Sequence, residues 1–432
     1  MNKLFQCAMG SSRSFGVGAA WPLLCLFSFL VAAQSGAIVL KYDDLPNILR
    51  EKNEGVKASD QSVQAAEAKT GHLTRSFLPH FDLNAGGEHF RTGPYPTDTQ
   101  PYGGIELSMN VFRAGKDQLE EEHRKAQLSV ARGEMDKTFR EELSVVRNRY
   151  WELVYEREWL SILKQLLLRN DDGAKAAGRR KARGLVTSTD VLSFELYGHQ
   201  LKEQIESSQH EIELIQIALR PRLGLDDKTQ VETPASIPHD HDEELVKAGT
   251  ETLQFPEVGV LNARALGTSA LARQSDRWWL PLVEVYGTYS LYTLRERFYP
   301  RIQDRFDTAV GIRLRMHLFD GFEGSRDAES GHRSATAAEM MAGYRTKTLR
   351  ADVKLAQEEM IHIHELIHGA ETFLEKGKRL QSQSLTEYDR GVRSTQDILS
   401  VTDRTLSFHK LYLERRRDYQ KSKVKLLSLI GR

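Results

Sequence analysis

The chain of 432 residues is short of cysteine, of proline in most of its length, and of net charge, and each shortage removes a class of protein. Both cysteines, Cys7 and Cys25, fall in the first 37 residues, beside Lys3, Arg13, an apolar run from Ala19 to Val31, and small residues at Val31-Ala32-Ala33 and Ser35-Gly36-Ala37. No acidic residue occurs there, so residues 1–37 are expected to be a secretory signal peptide. Leu24 stands before Cys25 where lipidation needs a small residue. A mature chain starting near residue 38 therefore has no thiol for a disulfide or a thiolate metal site, and its fold must rest on packing. The 60 basic and 60 acidic groups balance, and losing Lys3 and Arg13 leaves 58 against 60, a charge near −2 that gives no pull toward nucleic acid. Past the leader no run of ~18 apolar residues occurs, which excludes a membrane-spanning helix. Gly-rich phosphate loops, nucleophile elbows and paired catalytic carboxylates are also lacking, so neither enzyme activity nor a cofactor is expected.

None of the 12 prolines lies between Pro101 and Pro221 or after Pro300, so two long stretches can be helical without a break. Residues 116 to 183 are mostly Glu, Lys, Arg, Ala, Leu and Gln, which predicts a rod of roughly 100 Å. Residues 327 to 390 repeat it. Leu143, Val146, Tyr150, Leu153 and Val154 recur at spacings of three and four, a single apolar seam that needs a partner helix. Candidate partners run over about 188–220 and 395–429, each reached through a glycine turn at Gly184 or Gly391, with Ser188, Thr189 and Thr395 as candidate caps. Two further amphipathic segments, about 45–77 and 243–279, are expected to stack end to end on those shorter helices.

The chain repeats itself at an offset of 207: Arg183-Gly184 and Asp190-Val191-Leu192 recur as Arg390-Gly391 and Asp397-Ile398-Leu399, because 183 + 207 = 390 and 190 + 207 = 397. Phe112 maps to Phe319 and Gly224 to Gly431 by the same offset, as two copies of one structural unit would. Leu78-Pro79 maps to Leu280-Pro281 at 202, so the second copy carries 207 − 202 = 5 extra residues, where a loop should differ. The expected organisation is a signal peptide (1–37), a first repeat (38–224), a linker (225–241) and a second repeat (242–432).

Each copy also holds two segments that alternate apolar and polar residues between Gly and Pro. They are Phe81 to Ala85 and Ile105 to Val111 in a hairpin over 80–112, then Val283 to Tyr289 and Thr308 to Leu318 in a hairpin over 282–319. Arg313, Arg315 and His317 share one parity, whereas Val310, Ile312, Leu314, Met316 and Leu318 share the other. Reversing the register would put both arginines into lipid at ~2–4 kcal/mol each near the midplane, so the polar face is expected to line a lumen. Trp278, Trp279, Tyr292, Phe298, Tyr299, Tyr95 and Tyr102 near the strand ends suit interfacial girdles. Four strands cannot close a barrel, and lipid does not tolerate open edges, so several chains must share one.

In this order and spacing, the Leu-Pro pairs, Val111-Phe112-Arg113-Ala114-Gly115, Leu318-Phe319-Asp320-Gly321, and the tip segments RGLVTSTDVL (183–192) and RGVRSTQDIL (390–399) resemble the TolC family of bacterial outer-membrane channels. The resemblance implies an α+β membrane protein. Its long α-helical hairpins would form a periplasmic α-barrel tunnel, and its four transmembrane β-strands per chain would join a shared trimeric 12-stranded outer-membrane β-barrel. It implies a homotrimer in outer-membrane lipid, acting as a passive exit duct for efflux or type I secretion. The expected partners are a periplasmic adaptor (membrane fusion protein) and, through it, an inner-membrane RND or ABC transporter. Carried over by position, Tyr388 and Arg393 face Thr189 and Asp190 as a latch at the constriction, and Asp397 takes an acidic ring position. The next ring position is Ser400, which departs from the acidic pattern. Gly184, Leu185, Val186, Gly391 and Val392 are the expected adaptor-contacting tips, with the basic run Arg179, Arg180, Lys181 and Arg183 as a further contributor.

Two alternatives compete with a duct. A periplasmic coiled-coil scaffold suits the helices but not the alternating strands. His364-Glu365-Leu366-Ile367-His368 matches the zinc-protease pattern, yet it falls midway along a long helix, and no third ligand follows at a recognisable spacing. No metal is assigned on this basis. The run His239-Asp240-His241-Asp242 reads as polar linker.

Overall fold

A computed structural model of the protein describes residues 38–90, 98–238, 255–295 and 302–431. The expected signal peptide, the aromatics Tyr95, Phe298 and Tyr299, and the run His239 to Asp242 lie outside the described residues. The first half contains strand β1 (Ile38–Val39), helices α1 (Leu45–Lys52), α2 (Glu54–Lys69) and α3 (His72–Arg75), and strands β2 (His80–Phe90) and β3 (Asp98–Phe112). Helices α4 (Lys116–Ala182) and α5 (Ser188–Leu219) and strand β4 (Val231–Glu232) follow. The second half runs through α6 (Pro256–Ser275), β5 (Leu282–Arg295), β6 (Ile302–Arg315), α7 (Glu323–Asp389) and α8 (Thr395–Ile430).

Each proline-free stretch holds one unbroken helix of 67 residues, about 100 Å long at 1.5 Å per residue. The duplication holds residue for residue, since 116 + 207 = 323 and 182 + 207 = 389 are the ends of α7 and 188 + 207 = 395 is the start of α8. Each long helix leaves its strand through two successive left-handed residues: Ala114 (φ 54°) and Gly115 (φ 68°), then Gly321 (φ 73°) and Phe322 (φ 70°). The backbone shape is kept although the glycine changes place within the pair. Most of the extra length in the second copy lies at this joint. Residues 316–322 number seven where 113–115 number three, which accounts for four of the five, and the hairpin 282–315 is one residue longer than 80–112.

The shorter helices stack in pairs alongside the long ones. The end of α5 meets the junction of α1 and α2, where Asn53 Nδ2 donates to the Arg222 carbonyl at 2.8 Å and Gly224 leaves no room for a Cβ against Lys52. The end of α8 meets the start of α6 in the same way, Gly431 lying against Pro256. Small residues let α6 approach both rods: Gly133 of α4 faces Val260, and Gly331 of α7 faces Ala272. The main core joins α1, α4, α5 and α8 around Tyr150, Leu153, Leu163, Leu201, Leu219 and Leu413, and a second core joins α7 and α8 around Val353, Met360 and Leu426. Residues 225–238 are strapped to α4: Val231 and Ile237 are fully buried, the Arg157 guanidinium donates to the Val231 carbonyl, and the Ile237 amide donates to Glu158.

The four long strands form one antiparallel sheet in the order β2-β3-β5-β6. The two hairpins are thus joined side by side through β3 and β5, with Ile105 opposite Tyr289 and Glu106 opposite Thr288. The ladder shifts between Asn110 and Phe112, a bulge that bends β3 as it turns into α4. The outer edges, β2 and β6, have no partner strand among the described residues.

Candidate functional site

The two hairpin tips are built by the same local chemistry, one copy apart. Gly184 adopts φ 71° and lets the Leu185 amide donate back to the Arg180 carbonyl at 3.0 Å; Gly391 adopts φ 78° and lets the Val392 amide donate to the Glu387 carbonyl at 2.9 Å. This six-residue closure ends a helix with a left-handed glycine, and a Cβ there would be strained. Each returning helix starts with a capping box. The Asp190 carboxylate accepts from the Thr187 amide at 2.8 Å and its hydroxyl at 2.7 Å, and Asp397 repeats the pattern with Ser394 at 3.2 and 2.7 Å. The caps are thus Thr187 and Ser394, not the expected Ser188, Thr189 and Thr395, because the box requires the aspartate three residues after the cap. The Asp190 carboxyl is held below its usual range by the Thr187 hydroxyl, then by the Thr187 amide and the Thr395 hydroxyl. The Asp397 carboxyl is likewise lowered, first by the Ser394 hydroxyl.

Thr395 joins the halves. It is buried, it reaches Asp190, and its hydroxyl lies 3.3 Å from the Tyr388 hydroxyl. Tyr388 therefore meets the first hairpin through Thr395, in an apolar pocket with Ala177, Phe194 and Ile398, its ring edge-on to Phe194 at 6.3 Å. Arg393 does not meet Thr189 or Asp190 within the chain: its Nε donates to Glu387 at 2.5 Å, six residues back on its own hairpin. The cation that crosses between the hairpins is Arg180. Its guanidinium donates to the Tyr388 carbonyl at 3.3 Å, to the Asp389 carbonyl at 3.2 Å and to the Asp389 carboxylate at 3.3 Å, and it stacks 4.9 Å over the Tyr388 ring. A positive charge on the last carbonyls of α7 also opposes the negative end of that helix's dipole. In the sequence Arg180 is one of four basic residues in a run, and nothing local marks it out from Arg179 or Lys181. Thr189 and Asp397 are exposed, Val186 is half-buried, and Leu185 and Val392 stand open to solvent at the tips.

At the other end, the sheet register sorts the strand residues onto two faces. Asp82 opposite Glu106, Glu106 opposite Thr288, and Asn110 opposite Glu284 opposite Arg313 make one polar face. Leu83 opposite Ile105, Ile105 opposite Tyr289, Met109 opposite Val285 and Val285 opposite Ile312 make the other, together with Leu107, Val310 and Leu314. The apolar face is bare: Leu83, Val310 and Ile312 are each at least 75 % exposed. On the polar face Arg313 pairs with Glu284 and lies 4.4 Å over the Tyr286 ring. His317 falls outside this face, because β6 ends at Arg315 opposite Leu282, and the next partner position is Pro281, which has no amide to donate.

Residues 45–224 match the outer membrane efflux protein family. That span is the first of the two repeats. The family so matched is one of outer membrane efflux proteins, whose work is transport. Solved structures share the fold of this chain at low identity. The outer membrane protein VceC of Vibrio cholerae is 13 % identical over 90 % of this chain and 96 % of that one, with a TM-score of 0.74. The CmeC outer membrane channel of Campylobacter jejuni is 17 % identical over 90 % and 85 %, with a TM-score of 0.72. The MtrE channel of Neisseria gonorrhoeae, in its open state, is 12 % identical over 90 % and 88 %, with a TM-score of 0.71. No match to the sequence is found among curated proteins.

His364 and His368 lie midway along α7 with one ring edge-on to the other, away from both the tips and the sheet. Among the described residues no group of three or more His, Cys, Asp or Glu side chains converges as a metal cage.

Proposed function

We propose that three chains close one twelve-stranded barrel in the outer membrane and continue it as a helical tunnel across the periplasm, forming a passive exit duct. The observation that carries this reading is the four-stranded sheet with an apolar face bare to its surroundings, a polar face behind it, and edges at β2 and β6 that lack partners. In lipid those edges require strands from other copies, and three sets of four give a barrel wide enough for water. The exposed apolar residues of the helices, such as Leu192 and Leu196 on α5 and Tyr344 and Leu355 on α7, suit contacts between copies.

At the tips, the proposed constriction consists of Thr189, Asp190, Tyr388, Arg393 and Asp397, with Arg180 and Thr395 as the intrachain clasp. Opening separates α7 and α8 from α4 and α5 and so breaks the Arg180 contacts. Leu185, Val186 and Val392, presented by the turns at Gly184 and Gly391, would meet a periplasmic adaptor that couples the duct to an inner-membrane RND or ABC transporter, for efflux or type I secretion. With Ser400 in place of a second acidic ring, strong cation selectivity is not expected. The deciding experiment is the native mass of the protein extracted in mild detergent from outer membranes. Three mature chains are expected; a soluble monomer would refute the shared barrel.

A further inference from the structure

His364, His368 and Glu371 stand at positions i, i+4 and i+7 of α7, so all three project from one face of the helix. The imidazole ring centroids of His364 and His368 are 5.0 Å apart. Two imidazoles that share one ion at ~2.0–2.1 Å have ring centroids about 4.5–5.2 Å apart for ligand angles between octahedral and tetrahedral. The pair therefore already has the centroid spacing of a chelate; the ring planes stand at 79°, and χ2, which is broad for histidine, is the freedom through which the nitrogens converge on an ion. Glu371 Oε2 lies 3.9 Å from His368 Nδ1, beyond hydrogen-bonding distance, and adds a negative charge beside the pair. The Tyr419 ring of α8, itself buried, sits 5.8 Å from that of His364 and backs it. The His368 side chain is 63 % exposed, so the remaining coordination positions open to water. His362 points to the far side of the helix, about 200° away.

We propose that His364 and His368 form a two-imidazole chelate for a divalent transition-metal ion on α7, with the Glu371 carboxylate close by to favour the cation. Imidazole nitrogen suits zinc, nickel or copper, whereas calcium and magnesium want a cage of oxygens. With two protein ligands and no walled cleft to hold a substrate, the site binds metal without hydrolytic chemistry. It is separate from the duct's tips and barrel.

The test is calorimetric titration of zinc into the full mature chain in mild detergent, purified without a histidine tag, with circular dichroism as the folding control. The wild type is expected to bind one ion per chain saturably, and His364→Ala and His368→Ala to lose it. Glu371→Gln should weaken binding only about two- to fivefold, as the loss of a nearby exposed charge does, and Glu365→Gln should leave it unchanged. Copper titrated into the same samples should show two nitrogen ligands by electron paramagnetic resonance in the wild type and one in either histidine variant. Absence of saturable binding in the wild type would overturn the proposal. So would binding of the same stoichiometry and affinity in a folded His364→Ala, His368→Ala double variant, since the ion would then sit on other histidines.

Discussion

Replacing Arg180 with alanine should loosen the closed tip, and the size of the effect can be worked from its contacts. Its two donations to backbone carbonyls, at 3.3 and 3.2 Å, are long for hydrogen bonds and together contribute about 1 kcal/mol. Stacking on the Tyr388 ring at 4.9 Å contributes about 0.5–1 kcal/mol at a partly exposed site. The ion pair with Asp389 adds at most about 0.5 kcal/mol, because that carboxylate is 77 % exposed. These contacts overlap, so a total of about 2 kcal/mol per chain is expected, a shift of roughly 30-fold toward the open tip. If the three chains of a trimer open together, their contributions multiply. Single-channel recording in planar bilayers should show a higher conductance or longer open dwell times for Arg180→Ala. Asp389→Asn keeps both backbone contacts and the stacking, so it should shift the equilibrium about twofold or less. Two results would refute the reasoning: an Arg180→Ala channel indistinguishable from wild type, or an Asp389→Asn channel as open as Arg180→Ala.

Other perturbations test other parts of the molecule. Val310→Arg puts a charge on the bare apolar face at ~2–4 kcal/mol near the bilayer midplane, so the assembled species should disappear from detergent extracts, whereas Asp82→Asn on the polar face should leave it intact. Gly115→Ala adds left-handed strain of ~1–2 kcal/mol and drives a Cβ to 2.1 Å from the Arg277 guanidinium, which donates to the Ala114 carbonyl. Thermal unfolding should show a larger loss for it than for Gly71→Ala, which has the same strain and open space around it. His409 lies in a groove of about 380 Å³ between α4, α7 and α8, and burial, then Lys378 and Arg169, push its imidazole down to about 4. A lowered pKa means the neutral form stabilises the fold. That contribution is complete above the ordinary histidine value of 6.5 and is lost as pH falls from there toward 4. Denaturation of wild type followed over that interval should show a loss of about 1–2 kcal/mol after allowing for solvent screening, and His409→Gln should flatten it.

The long helices were legible because their signal is local and summed over many residues: no proline, strong helix formers, and an apolar seam at Leu143, Val146 and Tyr150. The left-handed turns at Gly184 and Gly391 were legible for the same reason, since each needs only its own glycine. The latch was not. Arg180 has the composition of its neighbours, and only the approach of α7 to α4 brings the carbonyls of Tyr388 and Asp389 to it. Thr395 reads as a helix cap in sequence and becomes a bridge because Asp190 and Tyr388 converge on it from two hairpins. The position of the extra residues in the second copy was also hidden, because a length difference does not say which joint absorbs it.

By itself, the sequence determined that the protein is a duplicated unit of long helices and alternating strands, because periodicity, proline spacing and a repeat offset are properties of the chain in one dimension. Only the tertiary structure decided that β3 pairs with β5, so that two hairpins become one sheet with a polar and an apolar face. It also decided which cation of a basic run reaches across to the other half. Both depend on residues more than a hundred positions apart coming within hydrogen-bonding distance, and no local pattern encodes that.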